Sequence, residues 1–180
     1  ALGYMQGSTL FAAPYDFRKI CTTNELNLYS DSMQKLIERS VKLNGKKAIL
    51  IGHGLGACLM NYLLVNSPQE WKDMYIESFV SFSGCFGGCP KALRVLLSGE
   101  DLPSKEEQRI IRDTTKNFTG LQWLLPSPLI YGEMPLMYYQ QVCYKARDIP
   151  TVLSMAGFSD SAAVYNDVVA SVQAKSLEAP

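Results

Sequence analysis

Leu26, Tyr29, Met33, Leu36, Ile37 and Val41 recur at three- and four-residue steps with polar residues between them. This spacing predicts one face of an amphipathic helix over roughly residues 27–43, and Asn44-Gly45 supplies its stop. Ala48-Ile49-Leu50-Ile51 follows as a short, unbroken apolar run, the pattern of a parallel strand covered on both faces. Residues 57–65 are almost entirely apolar and predict a helix packed deep against a sheet, ended by Asn66-Ser67-Pro68. A second strand is expected over residues 75–83, running into a turn with Gly84, Gly87 and Gly88, and a short helix over residues 91–98. This helix–strand–helix–strand–helix order predicts the α/β class, a parallel sheet with flanking helices. Beyond Gly99 the regularity fades: residues 106–112 read as charged and exposed, and residues 124–135 as apolar and proline-rich. The last helical candidates are residues 149–155 and 162–175, and no internal repeat or low-complexity stretch is visible.

Composition changes this picture little. With 180 residues and 47% apolar content, the chain can bury one core of ordinary domain size. Seventeen basic and 17 acidic side chains cancel, so there is no electrostatic footprint for nucleic acid or an anionic membrane. No run approaches the roughly 20 apolar residues of a membrane span. Five cysteines (Cys21, Cys58, Cys85, Cys89, Cys143) are an odd number, so at least one is unpaired within the monomer. No second cysteine pair or nearby histidine completes a zinc set around Cys85 and Cys89, and most of the five are expected to be buried small hydrophobes. The spacing alone neither requires nor excludes a Cys85–Cys89 bridge. Asn117-Phe118-Thr119 is the one glycosylation sequon, weak support for a secretory location.

The candidate chemistry lies at Gly52-His53-Gly54-Leu55-Gly56, directly after the first strand. This is the strand-to-helix setting of a nucleophile elbow, G-x-S-x-G, in which the flanking glycines, here Gly52 and Gly56, avoid clashes across a tight turn. The vertex, where the nucleophile belongs, is Gly54. Taken alone, the five residues are open to two readings: a nucleophile position without its hydroxyl, or a glycine-rich turn that cradles phosphate.

Further segments point the same way. Ala13-Pro14-Tyr15-Asp16-Phe17-Arg18 resembles A-P-Y-D-W-R of the lecithin:cholesterol acyltransferase family, and Ile51 to Gly56 resembles its I-G-H-S-[LM]-G. Trp71-Lys72-Asp73-x-Tyr75-Ile76, Gly87-Gly88, Leu97-Ser98-Gly99-Glu100-Asp101, Trp123-Leu124-Leu125-Pro126 and Tyr144-x-Ala146-Arg147-Asp148 match in order and spacing across nearly the whole chain. The resemblance implies a partial α/β-hydrolase fold, a single domain with the core and elbow over about residues 1–98 and part of a cap over about residues 99–180. The first strands and the triad acid and histidine are expected outside this chain, which then reads as the middle of a longer protein.

Each candidate residue also has a plainer reading. The resemblance places the absent serine at Gly54 and makes the Leu55 N–H one oxyanion donor. His53 is the only histidine. It precedes the vertex, so packing or hydrogen bonding is expected of it rather than base chemistry, and no Ser–His pair can exist within these residues. Asp16 and Arg18 are expected to form a structural ion pair. Phe17 stands where the family has Trp and loses its N–H donor. Asp167 superficially resembles a triad acid, but the Tyr144 to Asp148 match places it one element too early. Cys58, one helical turn or about 6 Å past the vertex, cannot replace the nucleophile. Gln122 to Leu125 and residues 131–139 are expected to be core more than an acyl-chain surface.

The resemblance therefore implies a phospholipase or O-acyltransferase type of protein, moving an acyl group from phospholipid to a sterol, a diacylglycerol or water. It would be inactive as given, because Gly54 replaces the serine. A natural non-catalytic pseudoenzyme in lipid binding or regulation is the alternative, and an engineered Ser→Gly chain is a third. No cofactor or metal is implied. The implied partners are phospholipid or another acyl lipid, with a membrane or lipoprotein surface, and no nucleic acid. A secretory, extracellular or membrane-associated location follows from the same resemblance.

Overall fold

The computed structural model of the chain describes residues 3–99, 103–168, 172, 173 and 177. Glu100 and Asp101 of the matched stretch, and residues 169–171, 174 and 175 of the last expected helix, lie outside them.

The first helix, α1 (Thr23–Asn44), starts where the Thr22 side chain accepts the Glu25 N–H and stops at Gly45, whose left-handed φ of 61° lets its N–H reach the Val41 carbonyl. Leu26, Met33 and Ile37 form its buried stripe, with Tyr29, Leu36 and Val41 partly buried against the same core. Strand β1 (Ala48–His53) leads into α2 (Leu55–Val65), and α3 (Gln69–Tyr75) leads into β2 (Ile76–Phe82). Helix α3 is held to α1 by the Trp71 Nε1–H, which donates to Glu38 Oε1 at 2.9 Å. Strands β1 and β2 pair in parallel, with Ile51 opposite Val80 and His53 opposite Phe82. Parallel strands joined through helices make this a partial α/β fold.

Helix α2 is apolar but for Asn61 and buried on all sides from Ala57 to Leu64. It packs beneath β1, with Tyr62 edge-on to Trp123 at 6.1 Å between ring centroids. The sheet, by contrast, is covered on one face only. Leu50 and Gly52 point into the core, whereas Ile49, Ile51 and His53 point out, and Ile51 is 64% exposed. Phe82 is exposed as well. The expectation of a strand covered on both faces is corrected accordingly: an unbroken apolar run reports hydrophobicity on both faces, and no described element lies over the second one.

The later half is more regular than its sequence pattern. Helices α4 (Pro90–Ser98), α5 (Lys105–Thr115), α6 (Thr119–Trp123) and α7 (Pro128–Tyr131) precede an antiparallel hairpin of β3 (Met137–Tyr139) and β4 (Val142–Tyr144). A 3-10 turn over Ala146–Asp148, then α8 (Ile149–Met155) and α9 (Ser159–Val168), complete the described elements. The stretch expected to be merely charged and exposed is α5, begun by a capping box in which Ser104 and Glu107 each bond the other's backbone.

A second core joins Leu93 and Leu96 of α4 to Leu125, Ile149, Leu153 and Tyr165. Between the two cores runs Trp123-Leu124-Leu125-Pro126, whose four successive carbonyls all accept hydrogen bonds. Gln173 Nε2 donates to Trp123 and Leu125 at 2.6 and 2.9 Å, the Cys89 N–H to Leu124 at 2.7 Å, and the Tyr165 hydroxyl to Pro126 at 2.7 Å.

Candidate functional site

The C-terminal ends of β1 and β2 converge on the turn at Gly54. Its N–H donates to the Phe82 carbonyl at 2.9 Å, which extends the strand pairing one residue past β1. Gly54 then turns at φ 54° and ψ −122°, as the N-cap of α2, a backbone conformation that side-chain-bearing residues rarely adopt. Its carbonyl accepts the Ala57 and Cys58 N–H groups at 3.1 and 3.4 Å. Leu55 and Gly56 are thereby the first two residues of α2, where N–H groups have no intrahelical acceptor and carry the positive end of the helix dipole.

The three glycines of the turn are not equivalent. A Cβ on Gly52 would lie 2.5 Å from Ala57 Cα and 2.7 Å from Ala57 N, so strand and helix approach too closely for any side chain. A Cβ on Gly54 meets nothing within 4 Å and would project into open space. One on Gly56 would lie 3.7 Å from the Tyr15 hydroxyl, an ordinary contact. The expectation that both flanking glycines avoid a clash therefore applies to Gly52, and is corrected for Gly56, which lies on the wider side of the turn toward Tyr15.

Tyr15 packs edge-on against Tyr29, 5.9 Å between centroids, and burial, with the nearby Cys58 and Cys21 thiols, raises its pKa. The next residues form a compact loop. Asp16 and Arg18 pair through two side-chain hydrogen bonds, Nε to Oδ1 at 2.8 Å and Nη2 to Oδ2 at 2.7 Å. The Arg18 N–H adds a third, to Oδ1, at 3.0 Å. These bonds hold the Asp16 carboxyl down at about 2. The loop is fastened to α6: the Thr119 and Gly120 N–H groups donate to the Arg18 and Phe17 carbonyls, and Thr119 Oγ1 accepts the Cys21 N–H at 3.1 Å. The hydroxyl of the Asn117 sequon thus has a structural partner. Phe17 meets Phe118 edge-on at 5.5 Å.

Other candidates fall away from the turn. His53 lies on the uncovered sheet face and is exposed, rather than packed as expected. Its neighbours there are Ile51 and Phe82, both exposed and apolar. Cys58 is fully buried, its thiol donating to the Gly54 carbonyl at 3.7 Å. Burial, with the Cys85 thiol nearby, pushes it up to about 12, so it stays protonated. Asp167 lies exposed on α9. Gln122, Trp123 and Leu125 are core, whereas Tyr138 and Tyr139, on the hairpin, are exposed. Among the described residues there is no group of three or more His, Cys, Asp or Glu side chains that could hold a metal, and no helix is long and apolar enough to cross a membrane.

Comparison with known proteins identifies a family. The family model for lecithin:cholesterol acyltransferase matches residues 1–170. The lysosomal phospholipase A and acyltransferase of Rattus norvegicus is 33% identical over 175 residues, 96% of this chain and 42% of that protein. The phosphatidylcholine-sterol acyltransferase of Mus musculus is 35% identical over 139 residues, 73% of this chain and 30% of its own length. The lecithin-cholesterol acyltransferase-like 1 protein of Oryza sativa subsp. japonica is 29% identical over 173 residues, 92% of this chain and 40% of its own. The chain spans less than half the length of these curated relatives.

Proposed function

The chain belongs to the lecithin:cholesterol acyltransferase family, and on that premise we propose that it carries the nucleophile elbow of a lipid acyltransferase or phospholipase whose serine position is occupied by Gly54. The observation that supports this reading is the backbone of Gly54: a left-handed vertex between β1 and α2, with open space where a side chain would project. Leu55, the residue after the vertex, offers its N–H at the start of α2, placed to donate to the oxyanion of a tetrahedral intermediate. The substrate class is phospholipid, met at a membrane or lipoprotein surface, with the acyl group passed to an alcohol or to water.

Without a hydroxyl at position 54 there is no covalent route. Removing a serine nucleophile costs on the order of 10⁶ in kcat, leaving only what binding and oxyanion donors supply. The chain as it stands is therefore an inactive version of this machinery. A second reading, a lipid-binding relative that has lost its chemistry, rests on the same glycine.

The test is release of labelled fatty acid from phospholipid vesicles by the complete protein, with Gly54 and with Gly54→Ser. Release by the serine form alone is the expected result, together with its labelling by a serine-directed fluorophosphonate. Silence in both folded proteins, with retained vesicle binding, selects the second reading. Equal release by both proteins refutes the assignment of position 54.

A further inference from the structure

Just past β2, beside the Gly54 turn, lie two thiols with no part in acyl transfer. Cys85 and Cys89 flank Phe86-Gly87-Gly88. The Gly88 N–H donates to the Cys85 carbonyl at 2.9 Å, closing a turn whose first and fourth residues approach within about 7 Å. Gly88 adopts φ 80°, and a Cβ there would lie 2.0 Å from the Leu125 carbonyl oxygen, so the turn is pressed onto the strip between the two cores. Its far side is fixed by the Cys89 N–H to Leu124 and the Ser127 N–H to Gly87, at 2.7 and 2.9 Å. This turn has Cys85 as its first residue and Cys89 directly after its fourth, so the two cysteines flank one tight reversal of the chain. Both are partly accessible, whereas Cys21 and Cys58 are buried.

We propose that Cys85 and Cys89 form a reversible disulfide, making this turn a thiol–disulfide exchange site for low-molecular-weight disulfides such as oxidised glutathione. In the first step one thiolate of the pair attacks a sulfur of the small disulfide, forming a mixed disulfide and expelling one small thiolate. In the second, the other protein thiolate attacks the protein-bound sulfur, closing the Cys85–Cys89 bond and expelling the second small thiolate. The protein pair gives up two electrons and two protons, and the small disulfide leaves as two thiols. Cys58 ties into the neighbouring turn, its thiol donating to the Gly54 carbonyl at 3.7 Å.

The test equilibrates the complete protein in glutathione buffers of graded ratio, quenches it with acid, alkylates it and maps the cysteine peptides by mass. A linked Cys85–Cys89 peptide, lighter by two hydrogen atoms than its reduced form, is the expected product, with Cys21 and Cys58 alkylated only after denaturation. The pair should be more readily oxidised in the native protein than in denaturant by about tenfold or more, about 30 mV in reduction potential. Cys85→Ser and Cys89→Ser should each abolish the linked peptide. Complete alkylation of both residues at the most oxidising ratio overturns the proposal, as does equal oxidation of native and denatured protein. Both of these readouts come from the unmutated protein, so neither depends on how a variant folds.

Discussion

Replacing the three glycines of the β1–α2 turn by alanine, one at a time, separates three physical effects that the sequence pattern treats as one. At Gly52 the new Cβ meets the Ala57 backbone at 2.5 Å, which rotamer changes cannot relieve, so strand and helix must part. Overpacking of this kind costs about 3 kcal/mol. At Gly54 nothing is struck, but φ is 54°. The cost is backbone strain of about 1–3 kcal/mol, partly offset by about 0.4–1 kcal/mol from the stiffer unfolded chain. At Gly56, the second residue of α2, the neighbour is 3.7 Å away. Alanine there changes stability by between zero and about 1 kcal/mol in the favourable direction. Equilibrium urea unfolding resolves the series, since 2 kcal/mol moves the midpoint by about 1 M when m is about 2 kcal/mol/M. The expected order of midpoints is Gly56→Ala highest, then Gly54→Ala, then Gly52→Ala. A Gly56→Ala protein destabilised by more than about 1 kcal/mol would refute the geometry of the turn. So would a Gly54→Ala protein as damaged as Gly52→Ala.

Two further outcomes follow from the described contacts. The Asp16 carboxyl, its pKa depressed by Arg18, stabilises the loop above the ordinary carboxylate range and loses that contribution as pH falls through about 2; its NMR titration should centre there and move up in Arg18→Ala, and a midpoint near 4 in the unmutated protein would contradict the bidentate pair. Tyr165→Phe removes the hydroxyl that donates to the buried Pro126 carbonyl, for an expected loss of about 1–3 kcal/mol by urea unfolding; an unchanged midpoint would show that this hydrogen bond contributes nothing.

Much of this architecture was legible where periodicity and punctuation agree. The α1 stripe and its Gly45 stop, the β1 run and the apolar α2 are all found, α1 and β1 extending a few residues beyond their expected ends. Helix α5 escaped because its only large aliphatics are Ile110 and Ile111, too few for a stripe, although Ser104-x-x-Glu107 carried the capping signal. The β3–β4 hairpin escaped for a different reason. Its two-residue turn places Gln140 and Gln141 at φ 46° and 65°, positions where Asn-Gly or Asp-Gly is the usual signature. At the candidate site, the glycine spacing marked the turn, but only coordinates separate the crowded Gly52 from the open Gly54 and Gly56.

The strip from Trp123 to Pro126 has a consequence for the order of folding. Its carbonyl acceptors are matched by donors drawn from far along the chain, 39 residues away for Tyr165 and 48 to 50 for Gln173. Closing such loops costs entropy before any of these bonds forms. The strip is thus a late assembly, completed once α4 and α9 have docked against it. Mutations there should chiefly hasten unfolding and leave the refolding rate nearly untouched.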